Sequence, residues 1–193
     1  MIDIIAVTYN QNQILKCFIN SIKAQVNPNW NLYIVHDGPN KELKQELTQN
    51  NYLGANTQFI EYPERQNDYG HTLRGWALQK FISSKYVLIT NGDNYYTPIF
   101  VDEILKCEQD FIYFDMIHSH PTKNNHNQTS YGLLNSKLQR GWIDMGNVVI
   151  KSELAKKIGF THRDYAADWH YFNDILKTSP SIKKINKILM THN

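Results

Sequence analysis

The sequence predicts a single α/β domain with a mostly parallel central mixed sheet flanked by helices, and three observations carry that prediction. Apolar runs at 2–7, 32–35 and 86–90 are nearly continuous, as in strands of parallel sheets that are covered on both faces. Each run breaks at once into a polar turn: Thr8-Tyr9-Asn10, His36-Asp37-Gly38-Pro39-Asn40 and Asn91-Gly92-Asp93-Asn94. Between the first two runs, Ile14, Leu15, Phe18, Ile19 and Ile22 repeat at helical spacing, which makes a strand–helix–strand crossover unit.

The remaining elements follow in order. Asn27-Pro28-Asn29 stops the first helix. A short polar helix is predicted over 41–50, a short strand over 57–61 and a loop over 63–70. Leu73, Trp76, Ala77 and Phe81 mark the buried face of a helix, with Arg74 offset from it. Thr97-Pro98 opens another helix, whose inner face takes Ile99, Phe100, Ile104 and Leu105. A strand is expected over 111–116. Residues 119–130 are rich in Asn and His without apolar periodicity, and they read as a mobile surface loop that could serve as a lid. The last third gives a strand at 146–150, a short helix through Leu154 and Ile158, a helix from about Asp168 and a strand over 182–190. No repeat or linker divides the chain, so residues 1–193 form one domain.

In open α/β sheets ligands bind beyond the carboxyl ends of the strands, so Asn10, Asp37 and Asp93 should converge on one rim. On its own segment, Asp93 is equally well explained as a turn residue. The balance of 20 basic against 18 acidic residues, with no Lys or Arg stripe, argues against nucleic acid as a partner. No apolar stretch approaches a transmembrane span, and the chain enters a strand without an export leader, so a cytoplasmic location is expected. Cys17 and Cys107 show no paired or metal spacing and read as reduced core or near-core thiols.

These features resemble the inverting family 2 glycosyltransferases of the GT-A fold, a Rossmann-like fold, over nearly the whole chain. The resemblance rests on Thr8-Tyr9-Asn10 after the first strand, on Asp37-Gly38 after the second, and on Asn67, Gly70 and Arg74 around the start of a helix. It implies transfer of a sugar, with inversion, from a nucleoside diphosphate donor (UDP- or GDP-sugar) to a hydroxyl of a glycan or glycoconjugate acceptor. Asp37 is the position that typically holds the nucleotide base, and Arg74 suits its phosphate or base.

The family's metal motif is usually Asp-x-Asp, whereas this chain has Asn91-Gly92-Asp93. Asp93 matches the carboxylate expected to reach Mn2+ or Mg2+. With Asn91 in the first position the chain could bind metal weakly, and a degenerate GT-A domain that binds a sugar nucleotide or glycan without turnover is the alternative reading. His192, in Met190-Thr191-His192-Asn193, occupies the place of a further metal ligand in many such enzymes; as a plain exposed histidine it is equally well explained.

Ala166-Ala167-Asp168-Trp169 resembles the family segment whose aspartate is the general base, which makes Asp168 the catalytic candidate and Trp169 a wall for a sugar ring. Without the resemblance, Asp168 reads better as a helix N-cap. Asp144, in Asp144-Met145-Gly146-Asn147, sits where related segments border the acceptor site, with a simple turn at least as good an account. His118 and His120 read as substrate-loop or surface residues, and His36 as packed at its strand end.

Overall fold

The computed structural model describes residues 1–122 and 125–193. Strand β1 (Ile2–Thr8) leads through helix α1 (Asn12–Lys23) to β2 (Trp30–His36), and α2 (Lys41–Gln49) leads to β3 (Thr57–Glu61). Helix α3 (His71–Lys80) returns the chain to β4 (Tyr86–Asn91), which pairs with the other side of β1. After the two-residue strand β5 (Tyr95–Tyr96) come α4 (Phe100–Leu105), β6 (Phe111–Thr122), β7 (Asn125–Leu134), β8 (Val148–Lys151), α5 (Ser152–Ile158), α6 (Ala167–Leu176) and β9 (Ile182–Thr191).

The sheet runs β3-β2-β1-β4-β8-β6-β9-β5, with β7 paired to β6. The first four strands are parallel, β8 is antiparallel to both its neighbours, and β9 is parallel to β6. The mixed α/β sheet expected from the sequence is therefore present. The chain leaves β1 toward β2 and later returns to the opposite flank of β1, so the order reverses there. Such a reversal opens a crevice at the carboxyl ends of the strands.

Period-2 alternation sorts the strand residues into two cores. Ile2, Ile4 and Ala6 of β1 pack with Leu15 and Phe18 of α1, Leu43 of α2 and Phe100 of α4. Ile5 and Val7 pack on the other side with Leu73 of α3, Ala155 of α5 and Tyr171 of α6. Both faces of the sheet are covered, which is why its strands read as unbroken apolar runs.

Several expectations need correction. Where a loop was expected over 119–130, the described residues 119–122 and 125–130 are strand: β6 runs on to Thr122 and pairs antiparallel with β7, His118 opposite Gly132 and Ser119 opposite Tyr131. These described residues extend the sheet. The His120 side chain lies outside the described residues. Helix α4 begins at Phe100, and Ile99 is exposed at its N-cap, as is Ile14 on α1. Cys17 faces solvent, whereas Cys107 is buried just beyond α4. His36 is buried as expected, 2.7 Å from Gly38 O through Nδ1 and packed against the Tyr9 and Phe59 rings. Among the described residues no helix is long and apolar enough to cross a membrane.

Candidate functional site

The register of the parallel strands sets Thr8 beside His36 and Val7 beside Asn91, so three strand ends stop at one level. The turns that follow are tied to the strands: Asp37 N donates to Thr8 O at 3.0 Å, and Gly92 N to Val7 O at 2.9 Å. A cleft of about 540 Å³ opens above them. Thr8, Tyr9, Asp37, Asn67, Gly70, Arg74, Asn91, Asp93, Asp144 and Asp168 all line it.

The Asp37 side of the cleft is built of satisfied polar groups. The Asp37 carboxylate accepts from Gln66 N at 2.7 Å and from Asn67 N at 3.0 Å, and so fixes the segment between β3 and α3. Arg65 donates to Asn67 Oδ1 at 2.8 Å and stacks its guanidinium 4.0 Å from the Tyr9 ring centre. Asn67, Tyr69 and Gly70 all have left-handed backbone, with φ of 52°, 58° and 79°. Gly70 cannot carry a side chain without cost, because a Cβ there would stand 2.9 Å from Val7 Cγ2.

Arg74 joins the Asp37 side to the β4 end of the cleft. The sequence placed it off the buried face of its helix, yet it is buried, because α3 is covered along the cleft side as well. Its Nη1 donates to Tyr69 O at 2.8 Å and its Nη2 to Asn91 Oδ1 at 2.6 Å, while Nε has no partner. Burial pulls the guanidinium pKa down, and the fields of Asp144, Asp168, Asp68 and Asp93 oppose that pull. No carboxylate among the described residues forms an ion pair with it.

The β4 side holds carboxylates with fewer partners. Asp93 Oδ2 accepts from Gln11 Nε2 at 3.2 Å, and Oδ1 is buried without a partner. Gln11 stands at the N-cap of α1 but makes no side-chain cap bond there. Burial holds the Asp93 carboxyl above the usual range, and neighbouring Asp144 adds to that. Gly92 keeps the turn close to β1, since a Cβ would lie 2.9 Å from Leu15 Cδ1. Asp144 caps the 3-10 turn Met145–Asn147, accepting from Gly146 N at 2.8 Å. Tyr96 clamps that turn to β4 by donating to Gly146 O at 2.7 Å and lying 2.8 Å from Thr90 Oγ1.

His192 Nε2 lies 3.8 Å from Asp144 Oδ2, its ring stacks on His118 with centroids 4.3 Å apart, and its field favours the ionised form of Asp93. Among the described residues no three His, Cys, Asp or Glu side chains form a ready metal cage.

Asp168 lies in the first turn of α6 and does not cap it; the N-cap is Ala166. Its Oδ1 accepts from Trp169 N at 2.7 Å. Burial raises its pKa and Asp144 raises it further, with Arg74 pulling the other way. A carboxylate so placed is a stronger proton acceptor than one in water.

The cleft does not take in every candidate. Asn10 stands at φ 52° in the turn after β1, outside the lining. Trp169 packs against the core behind α6 instead of facing the cleft. His192 approaches through Asp144 from outside the lining. Residues the sequence did not single out line it instead: Gln11, Arg65, Tyr69, His71, Phe160 and Tyr165. Only Gln11 and Arg65 left a usable trace, each being a polar residue close to a strand-end turn.

This geometry defines an open α/β sheet with a polar, carboxylate-bearing cleft beyond the carboxyl ends of its strands. The sequence model for glycosyl transferase family 2 matches residues 3–167, and the chain belongs to that family. A search of curated proteins finds no match. Among solved structures, S. aureus TarS 1-349 superposes with a TM-score of 0.74 at 16% identity, covering 100% of this chain and 60% of that one. The same TarS fragment in complex with UDP-GlcNAc gives 0.74 at 15%, covering 100% and 58%. The mannosyltransferase PcManGT from Pyrobaculum calidifontis, in complex with GDP-Man and Mn2+, gives 0.73 at 15%, covering 98% and 56%. The chain thus shares the GT-A fold of these proteins and spans a little over half of their length.

Proposed function

We propose that this chain moves a sugar from a nucleoside diphosphate donor to an acceptor hydroxyl with inversion, assisted by Mg2+ or Mn2+. The charge layout carries the reading: a buried Arg74, without an ion-pair partner among the described residues, stands in the field of cleft carboxylates whose ionised forms are disfavoured by burial. An anionic donor with a divalent cation completes both sets at once. Structures of similar fold with UDP, UDP-GlcNAc and GDP-Man make uridine and guanosine diphosphate sugars the first donors to test.

The unpartnered Asp93 Oδ1 fits a cation, with His192 as a second donor. A bound Mg2+ commonly uses one or two protein groups and takes its other oxygens from phosphates and water, so a full protein cage is not required. When bound, the cation would neutralise charge building on the departing diphosphate. Asp37 and the Tyr9–Arg65 stack would hold the nucleoside, Arg74 the diphosphate, and Asp168 would accept the acceptor's hydroxyl proton as its oxygen attacks the anomeric carbon. Two free thiols, with Cys17 exposed, support the cytoplasm as the compartment.

Thermal-shift titration with UDP and GDP, with and without Mg2+, tests the donor site. Stabilisation that is base-selective, metal-dependent and lost in Asp93→Ala is expected. No stabilisation by either nucleotide would refute the reading. Asn91, whose amide oxygen is already taken by Arg74, favours a second reading of binding without turnover. Nucleotide binding with no diphosphate release from any donor and acceptor would select it.

A further inference from the structure

Among the described residues Tyr69 and Tyr165 are the most exposed large hydrophobic side chains, at 85% and 98%, yet both line the cleft that contains Asp168. Two exposed aromatic rings on one rim are a stronger signal than single exposed apolar residues, which are ordinary on protein surfaces. Tyr69 is also held at φ 58°, a left-handed backbone that costs a bulky residue energy and persists only where its surroundings enforce it. The enforcement is visible. Buried Arg74 grips the Tyr69 carbonyl at 2.8 Å, and Gly70 locks against Val7. The side chain itself packs on little besides the His71 ring, 6.2 Å away.

Tyr165 is fixed by equally local means. Asp164 accepts from Ala166 N at 2.8 Å through its carboxylate and from Ala167 N at 3.0 Å through its carbonyl, so the backbone on either side of Tyr165 is set while its ring is left in water. The two segments adjoin. Arg163 Nε lies 3.9 Å from Asp68 Oδ2, and the His71 and Phe160 rings are 5.8 Å apart. Asp168 follows Tyr165 by less than one helical turn.

We propose that Tyr69 and Tyr165 form the acceptor subsite and that the acceptor presents a cyclic saccharide, whose apolar ring face stacks on the tyrosines while a hydroxyl reaches Asp168. An aromatic ring offers a flat apolar body that an axial row of sugar C–H groups can cover, whereas an open-chain polyol has no such face. The sugar-stacking task that the sequence pattern offers to Trp169 thus falls to two residues it left unmarked. The inference rests on the glycosyltransferase reading and narrows its acceptor to a ring.

Saturation-transfer NMR on the UDP- or GDP-loaded, Mg2+-bound protein tests it, with methyl β-glucoside, methyl β-galactoside and methyl α-mannoside as probes and sorbitol as the open-chain control. At least one glycoside should receive saturation on its ring protons and sorbitol should not. Tyr69→Ala and Tyr165→Ala should each weaken its apparent affinity about three- to tenfold, while Tyr69→Phe and Tyr165→Phe keep it. The nucleotide thermal shift should be equal in all five proteins. Silence from every glycoside, equal transfer to sorbitol, unchanged affinity in both alanine variants, or loss of the nucleotide shift in those variants would each overturn the assignment. A wild-type protein that shows no nucleotide shift at all would instead defeat the donor reading on which it rests.

Discussion

Two carboxylates, one buried and one half-buried, stand at opposite ends of the same parallel sheet, and they are treated differently. Asp3, at the start of β1, accepts from Ser83 N at 2.7 Å, Ser84 N at 2.8 Å, Ser84 Oγ at 2.7 Å and Asn31 Nδ2 at 2.8 Å. Asp93, beyond the end of β4, has one side-chain bond and one oxygen with none. Asp168 likewise has only its neighbour's amide. The Asp3 carboxylate is finished by the fold, whereas Asp93 and Asp168 at the cleft are left for something else to finish. The hydrogen-bond inventory is what separates them.

The contrast can be broken most severely at Asp168. Replacing it with Asn should lower the transfer rate about 10²- to 10⁴-fold, the usual contribution of a positioned base, with folding intact. Steady-state release of nucleoside diphosphate in the presence of acceptor reads this out, and retention of full rate would return Asp168 to a structural role. Asp3→Ala should do the reverse. It strands buried donors and should cost on the order of 3 kcal/mol in urea unfolding. Nucleotide affinity of the folded fraction should stay unchanged.

Gly70→Ala should cost about 1–2 kcal/mol, from the left-handed backbone and the crowding against Val7. Because Gly70 opens the helix that carries Arg74, nucleotide affinity should fall with it, measurable by calorimetric titration. The smallest effect is on pH dependence. The folded-state pKa of Asp168 is raised, so its contribution to stability is fully present below the unfolded value of about 3.9 and is lost as pH rises through the folded value. Asp168→Asn lacks that loss. Its melting temperature should therefore gain on the wild type as pH rises from about 4, and then level off. Transfer by the wild type should rise over the same range, as the base becomes ionised.

What the sequence made legible follows the same division. Strands β1, β2 and β4 and the turns after them were readable because double-sided burial writes an unbroken apolar run, and a polar break marks its end. Asp37, Asp93, Asp144 and Asp168, which line the cleft, were singled out that way or through the family's segments. The hairpin of β6 and β7 was not, because strand pairing beyond Met116 is made by backbone groups and carries no apolar alternation for a sequence to show. The burial of Arg74 was not readable, because helical periodicity records packing against a core and is silent about a polar cleft. Tyr69 and Tyr165 left no signal, since an exposed tyrosine on a loop looks alike whether or not a ligand meets it.

Strand β9 lies between β6 and β5, pairing Thr191 with Tyr95 on one edge and with Ile117 on the other. Tyr95 and Tyr96 therefore have no sheet neighbour until a segment nearly a hundred positions later has threaded into place. Such distant pairing is slow, because loop closure is opposed by chain entropy before any contact rewards it. The parallel half, with its strand–helix–strand units, can condense early, while the half that supplies Asp144 and His192 closes last. Refolding followed by hydrogen exchange should show protection appearing in β1, β2 and β4 before β5 and β9, so that Asp37 and Asp93 are in place before Asp144 joins them in the cleft.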